Sequence, residues 1–397
     1  MLSQPAIQER VEALVSPQDH AGRVCLKRLS LTNFRSYDQA NVEFDGRPVA
    51  FAGSNGAGKT NLLEAISLIG PGRGVRSARL DELPRVEGDG GWAVAARLDD
   101  GEDVRKFGVG VEASRPDRRI CRIDDAPSSG PGAFSDFLRF LWLTPAMDRL
   151  FMEGAGERRR FLDRMTLAHD PLHGRQSSAF EQAMRQRQKL LDAGSADPHW
   201  LSGLERQMAE AGVAIASARR EMAARLAAAE IVDDDALFPA ADIALQGELE
   251  TMLAQQDAGS VEDYYCDELA SRRRLDCDVG RALLGPHRSD LLVTHRAKGR
   301  PARLCSTGEQ KALLTGLVLA NARALGGAPG GAPLILLLDE IAAHLDPARR
   351  AGLFDILDGL GFQVFMTGTD KELFTAWGDR AQYFNVCDGA LHEASLV

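Results

Sequence analysis

An α/β fold with a β-rich subdomain and an inserted helical arm is predicted by three observations in this 397-residue sequence. A short apolar run, Val49 to Ala52, is followed at once by Gly53-Ser54-Asn55-Gly56-Ala57-Gly58-Lys59-Thr60. Far downstream, Leu334 to Leu338 is uninterruptedly apolar and ends in Asp339-Glu340, the pattern of a strand buried on both faces of a parallel sheet. Between the two, from Glu157 to about Ser271, the composition shifts to Ala, Arg, Gln, Glu and Met with apolar residues at helical spacing.

Each element follows from local pattern. Residues 1–22 are polar, hold neither a basic segment nor an apolar one, and read as an N-terminal extension outside the fold. From Val24, the alternation of Leu26, Leu29 and Leu31, then Val42 and Phe44, predicts two antiparallel strands leading into the Val49 to Ala52 strand. The glycine-rich string then opens a helix over Thr60 to Ile69. More alternation at Trp92 to Leu98, Lys106 to Val111 and Arg119 to Ile123, separated by Gly and Asp turns, predicts a β-rich subdomain.

In the arm, Leu204, Met208, Ala211, Ile215, Ala218, Met222 and Leu226 form one stripe of an amphipathic helix. A shorter stripe runs over Phe180 to Leu191, and Gly194, Asp197 and Pro198 separate the two. Such stripes are ordinary core packing and carry no chemistry. The last third returns to α/β: a helix over Ala312 to Ala324, a turn over Gly326 to Gly331, strands at Leu334 to Leu338 and Gln363 to Met366, and a hairpin of Tyr383 to Val386 with Ala390 to Glu393 around Asp388-Gly389. The expected domains are therefore a head formed by 23–156 and 272–397, and an arm formed by 157–271.

Composition narrows the function classes. No run approaches the roughly 20 apolar residues of a membrane span, so a cytoplasmic protein without membrane contact is expected. The six cysteines are scattered without C-x-x-C spacing, which argues for reduced thiols rather than a zinc or disulfide framework. A net charge of −10 opposes nonspecific coating of nucleic acid and leaves only local basic clusters for such contact. Two clusters exist, Arg105 to Arg122 and Arg272 to Arg303, and either reads equally as a solvated, salt-bridged face.

Residues 53–60 match G-x-x-x-x-G-K-[ST] in full. Glycines let backbone N–H groups curl around phosphate oxygens, Lys59 adds a mobile positive charge, and the Thr60 hydroxyl suits a Mg²⁺ shell. The helix that follows aims its positive end at the same anion. This pattern implies binding of a nucleoside triphosphate with Mg²⁺; the resemblance below makes it ATP. At the end of the Leu334 to Leu338 strand, Asp339 is placed to hold the metal shell and Glu340 to orient and deprotonate an attacking water.

About thirty residues upstream, Cys305-Ser306-Thr307-Gly308-Glu309-Gln310 opens a helix. The string taken alone is also a common capping box, but before an Asp-Glu strand end it resembles the signature motif of ABC-type ATPases. Ala343-His344-Leu345-Asp346 similarly resembles the D-loop. The resemblance implies that Ser306, Gly308, Gln310 and Asp346 meet a nucleotide bound by a second copy of the chain. An ATP-dependent homodimer and slow hydrolysis by the monomer follow from it.

Further strings narrow the match. Leu31-Thr-Asn-Phe-Arg35-Ser-Tyr37 is similar to the opening strands of SMC and RecF heads, in which the arginine can reach the nucleotide. With Pro71-Gly-Arg73-Gly-Val-Arg76-Ser, Leu143-Thr-Pro145, Gly156-Glu157-Arg-Arg-Arg-Phe161-Leu-Asp-Arg164 and Gly285-Pro286-His287-Arg288-Ser289-Asp290, the chain from about Val24 onward looks like the RecF family. The arm, at about a hundred residues, is too short for the long coiled coils of SMC proteins. Two departures stand out: Thr367-Gly368-Thr369-Asp370 replaces a switch histidine, and no Q-loop glutamine lies near Leu143-Thr-Pro145.

The resemblance implies a weak, DNA-stimulated ATPase that binds double-stranded DNA at gaps and junctions. It also implies RecR and RecO as partners and assistance to RecA loading in gap repair, replication, recombination and the SOS response. Arg73, Arg76 and the two basic clusters are the candidate DNA contacts, touching phosphates without reading bases. Two other classes compete. A nucleotide-binding subunit of an ABC transporter lacks the Phe34-Arg35-Ser36-Tyr37 opening and the arm, and a monomeric P-loop kinase gives Ser306 and Gly308 no purpose.

Overall fold

Two six-stranded sheets share one core. The computed structural model describes residues 25–99, 103–194, 197–229, 237–326 and 332–395. The extension expected at 1–22, and all but the first residue of the turn expected at Gly326 to Gly331, lie outside the described residues. The first sheet is antiparallel, built from β1 (Cys25–Phe34), β2 (Tyr37–Glu43), β4 (Trp92–Asp99), β5 (Val104–Val111), β6 (Ile120–Ile123) and β7 (Ala126–Pro127) in the order β2-β1-β4-β5-β6-β7. The second contains β3 (Val49–Ala52), β8 (Arg139–Leu143), β12 (Leu334–Leu338), β13 (Gln363–Gly368), β14 (Gln382–Cys387) and β15 (Ala390–Ala394). Its order is β15-β14-β3-β13-β12-β8, parallel throughout except for the β14–β15 hairpin.

The run Leu334 to Leu338 is apolar at every position because both faces of this sheet are covered. Ile335 and Leu337 join Phe51, Phe365 and Phe384 in the core shared with the antiparallel sheet and with Leu62, Leu63 and Ile66 of α1 (Lys59–Ser67). Leu334, Leu336 and Leu338 face the opposite core. That core is filled by α2 (Ala155–His169) and, later in the chain, by α8 (Thr307–Gly326) and α9 (Pro347–Leu360).

The arm is centred on α3 (Leu172–Asp192) and α4 (Pro198–Ala229), with α5 (Glu248–Met252), α6 (Ala258–Ser271) and α7 (Arg273–Val279) following. The α4 stripe serves two cores. Leu204, Met208, Ala211 and Ile215 pack with Phe180, Val261, Tyr265 and Leu269 in the arm, whereas Met222 and Leu226 enter the head core beside α2 and α8. Helix α4 thus runs without a break from one to the other.

The expectation of helix throughout 157–271 is corrected by a strand. β9 (Ala241–Gln246) pairs antiparallel with β10 (Asp290–His295), which also carries β11 (Arg300–Pro301). Only Ala241 of β9 is fully buried, with Ile243 and Leu245 half-buried, so its alternation is weak in sequence and its partner lies 40 and more residues on.

An ion network closes the arm core. Arg187 bonds Glu205 at 2.9 Å, Asp276 at 2.7 Å and the Leu269 carbonyl at 2.6 Å, and Arg187, Glu205 and Asp276 are each 1% exposed. Arg187→Ala strands two buried carboxylates without this counter-charge and is expected to cost about 3–5 kcal/mol. The urea-unfolding midpoint measures this, and a loss under about 1 kcal/mol would contradict it.

Candidate active site

Strands β3, β12 and β13 run parallel, so the loops leaving their C-terminal ends meet at one edge of the sheet. The N–H of Gly53 donates to the carbonyl of Gly368 at 3.2 Å, joining the start of the phosphate loop to the end of β13. Two glycines of the loop are required sterically. A Cβ on Gly53 would stand 2.3 Å from the Val386 carbonyl oxygen, and one on Gly58, at φ 107°, would stand 2.8 Å from the Tyr37 hydroxyl. Ser54, Asn55 and Gly56 form the exposed lip, with Ala57 and Gly58 buried beneath. Lys59 is buried, and its ammonium donates to the carbonyls of Gly53 at 2.7 Å and Ser54 at 2.9 Å.

The Asp-Glu pair is held from three directions. The Thr60 hydroxyl lies 3.1 Å from both carboxylate oxygens of Asp339. The Asp339 N–H donates to the Leu143 carbonyl at 2.8 Å, tying β12 to the end of β8. The Thr367 hydroxyl, completely buried on β13, donates to Asp339 Oδ1 at 2.6 Å and accepts the Glu340 N–H at 2.9 Å. Glu340 itself has φ 56° and ψ 20°, a left-handed conformation that costs a non-glycine residue about 1–2 kcal/mol. The hydrogen bond that the Glu340 N–H donates to Thr367 helps hold that turn. A hydroxyl and a carboxylate in direct contact form an all-oxygen donor set, which fits a hard cation such as Mg²⁺.

A family model for the RecF/RecN/SMC N-terminal domain matches residues 25–389. The DNA replication and repair protein RecF of Rhizobium etli is 52% identical over 369 residues, which are 92% of this chain and 98% of that one. This chain belongs to the RecF family. The corresponding protein of Mesorhizobium japonicum is 50% identical over 92% of this chain and 97% of its own. The fold is shared with a solved structure of the recombination mediator protein RecF-ATPrS in the RecFOR pathway, at a TM-score of 0.79 and 21% identity over 95% of this chain and all of that one. The Smc head domain of Pyrococcus furiosus follows at a TM-score of 0.52 and 16% identity over 94% of this chain and 97% of that one.

In this RecF-family chain the signature segment sits apart from the phosphate loop. Ser306 caps α8: its N–H and hydroxyl both donate to Glu309, at 2.7 and 2.9 Å. Lys298 also grips Glu309, and these donors hold its carboxyl down at about 2, below the ordinary carboxylate range. Because the folded value is the lower one, the clamp persists through the neutral range and loosens only as pH falls toward 2. The string that resembles a signature motif is thus also a capping box. Ser306, Thr307 and Gly308 are exposed, a Cβ on Gly308 would meet nothing within 4 Å, and no hydrogen bond or ion pair among the described residues joins them to residues 53–60. Asp346 is exposed too and caps α9 by accepting the Arg349 N–H at 2.9 Å.

Two of the expected nucleotide contacts have partners within the chain. Gln310 is buried and donates to the Cys305 carbonyl at 2.9 Å, so its amide orders the loop before α8. Arg35 forks onto Glu64 with two 2.8 Å bonds, and its third nitrogen donates to the Glu82 carbonyl. Glu64 is fully buried in α1 and also receives Arg76 at 3.1 Å. A lone acid within Leu62-Leu63-Glu64-Ala65-Ile66 was the sequence signal for this pair. Part of each basic cluster is committed to ion pairs: Arg105 to Asp124, Lys106 to Asp125, Arg272 to Glu268, Arg273 to Glu205 and Arg296 to Asp242.

Thr367 occupies the stretch where a switch histidine was missing, and its hydroxyl serves the Asp-Glu pair. Thr367→Val is expected to lower kcat by roughly 10- to 100-fold, matching the loss of a charge-assisted bond. KM for ATP should change little and Thr367→Ser should restore turnover. Steady-state phosphate release checks this, and equal loss in both variants would contradict it.

Proposed function

We propose that this RecF-family chain is a cytoplasmic, ATP-dependent, DNA-binding recombination mediator that dimerises on ATP and hydrolyses it slowly. The supporting observation is the division of the site. Lys59, Thr60, Asp339 and Glu340 converge at one sheet edge, while Ser306 and Gly308 lie exposed at the start of α8 with no bond to the phosphate loop of their own chain. A second copy completes the pocket, so the nucleotide stabilises the face-to-face dimer by mass action.

Within that pocket the chain's residues have separate tasks. The loop amides and Lys59 bind phosphate oxygens, Thr60 and Asp339 hold Mg²⁺, and Glu340 orients the attacking water and accepts its proton. The bound Mg²⁺ supplies charge neutralisation at the terminal phosphates. Ser306 and Gly308 of the partner copy meet the same nucleotide. The printed names of its relatives, a DNA replication and repair protein and a recombination mediator in the RecFOR pathway, support RecR and RecO as partners; duplex DNA at gaps and junctions as ligand, and assistance to RecA loading, complete the proposed reading.

Sedimentation velocity with and without ATP and a gapped duplex, across a salt series, tests this reading. A monomer shifting to a dimer with ATP, and a DNA complex whose affinity falls log-linearly with salt, is the expected result. A protein that stays monomeric at saturating ATP would overturn it.

A further inference from the structure

The exposed start of α8 and the metal end of β12 are joined by one short path through the chain. At the nucleotide edge, the carbonyl of Leu143 on β8 accepts the Asp339 N–H at 2.8 Å. On the exposed side, Ser306 caps α8 through Glu309. Asp148 stands five positions after Leu143 and Lys311 five after Ser306. The two meet, with the Lys311 ammonium 2.6 Å from Asp148 Oδ2 and the side chains only 25% and 19% exposed. Among the described residues this is the one ion pair that either makes.

Both ends of the path are held with little slack. The Met147 N–H donates to the Thr144 carbonyl at 2.9 Å and the Asp148 N–H to the Pro145 carbonyl at 3.1 Å, which closes the turn between Leu143 and Asp148. Leu150 and Phe151, just beyond, are buried in the same core as Leu313, Leu314 and Leu317 of α8. On the helix, the Gln310 N–H donates to the Ser306 carbonyl at 2.9 Å, and the Lys311 carbonyl accepts the Thr315 hydroxyl at 2.9 Å. Apolar packing surrounds most of α8, but such burial is non-directional and leaves a helix free to shift along or about its axis. A charge-assisted hydrogen bond has a fixed length and direction. The Asp148 to Lys311 bond therefore sets where the first turn of α8 stands relative to β8 and, through Leu143, relative to Asp339.

We propose that Asp148 and Lys311 are positioning residues for the shared nucleotide pocket: their ion pair fixes the exposed first turn of α8 against the metal end of β12, so that Ser306 and Gly308 of one copy reach the nucleotide held by the other. The inference rests on the two-copy pocket proposed for this chain and names the contact that sets its geometry. Asp148 acts through Leu143 and Lys311 through Ser306. A two-fold dimer holds two such pockets, so a shift of α8 misplaces the segment at both.

The test compares Asp148→Asn, Lys311→Gln and the reversed pair, Asp148→Lys together with Lys311→Asp, with the unmodified protein. Sedimentation velocity with ATP reads dimerisation, and a fluorescent ATP analogue reads binding by the monomer. Each single change should weaken ATP-driven dimerisation about tenfold while the monomer binds the analogue within about twofold of normal. The reversed pair should recover most of the loss. Urea-unfolding midpoints separate this from a purely structural contact, which would lower the midpoint and leave the folded variants dimerising normally. The proposal is overturned if the folded single variants dimerise within about twofold of the unmodified protein, or if the reversed pair dimerises no better than they do. Should the unmodified protein stay monomeric with ATP, the two-copy pocket is itself wrong and the proposal falls with it. A dimerising unmodified protein with indifferent variants sinks the proposal alone. Asp148→Asn keeps the size of the side chain, so it decides the matter if Lys311→Gln fails to fold.

Discussion

Replacing Glu340 with glutamine is expected to slow ATP hydrolysis by about 10²- to 10⁴-fold, the contribution of a positioned general base, while ATP binding and the ATP-bound dimer persist. The substitution keeps the shape of the side chain. It also leaves the Glu340 N–H bond to Thr367 and the Asp339 contact with Thr60 in place, so the phosphate and metal contacts survive. Single-turnover phosphate release should show the loss, and sedimentation with ATP should show a dimer at least as long-lived as that of the unmodified protein. A decrease below about tenfold would mean that another group takes the proton, and Glu340 would lose its assigned role.

Ser306→Arg is expected to abolish ATP-driven dimerisation and to bring hydrolysis down to the monomer's level, with ATP binding retained. The reason is geometric. Ser306 is exposed and its own chain makes no bond from it to residues 53–60, so an arginine there leaves that chain's loop untouched. It places a long cation on the face proposed to meet a second copy. An ATP analogue with a fluorescent label would bind the variant within roughly threefold of normal, while sedimentation would show monomer. Unimpaired turnover would return the kinase reading to favour, because a monomeric enzyme has no use for this surface.

These two variants also separate what was legible in the sequence from what was not. The phosphate loop could be read because its chemistry is local: eight contiguous residues specify the turn, and the structure adds only why Gly53 tolerates no side chain beside the Val386 carbonyl. The strand before Asp339 could be read because burial on both faces makes it apolar at every position. Gln310 shows what a short string leaves open. It belongs to the same short string as Ser306 and Gly308, but helical phase turns it inward to the Cys305 carbonyl while they face out. The motif carries no information about phase relative to a core that other segments build.

The sequence by itself determined the chemistry of the pocket, an ATP-type phosphate loop with an acid pair, together with the class of fold and the presence of a short arm. Local backbone requirements and periodic burial write those features into adjacent residues. Only the tertiary structure decided that Arg35 pairs with Glu64, that Thr367 clamps Asp339 and Glu340, that β9 closes a small sheet against β10, and that Arg164 lies over the Trp142 ring. Each of these joins residues more than twenty positions apart. Their pairing is fixed by how sheets and helices stack, and no run of neighbouring side chains encodes it.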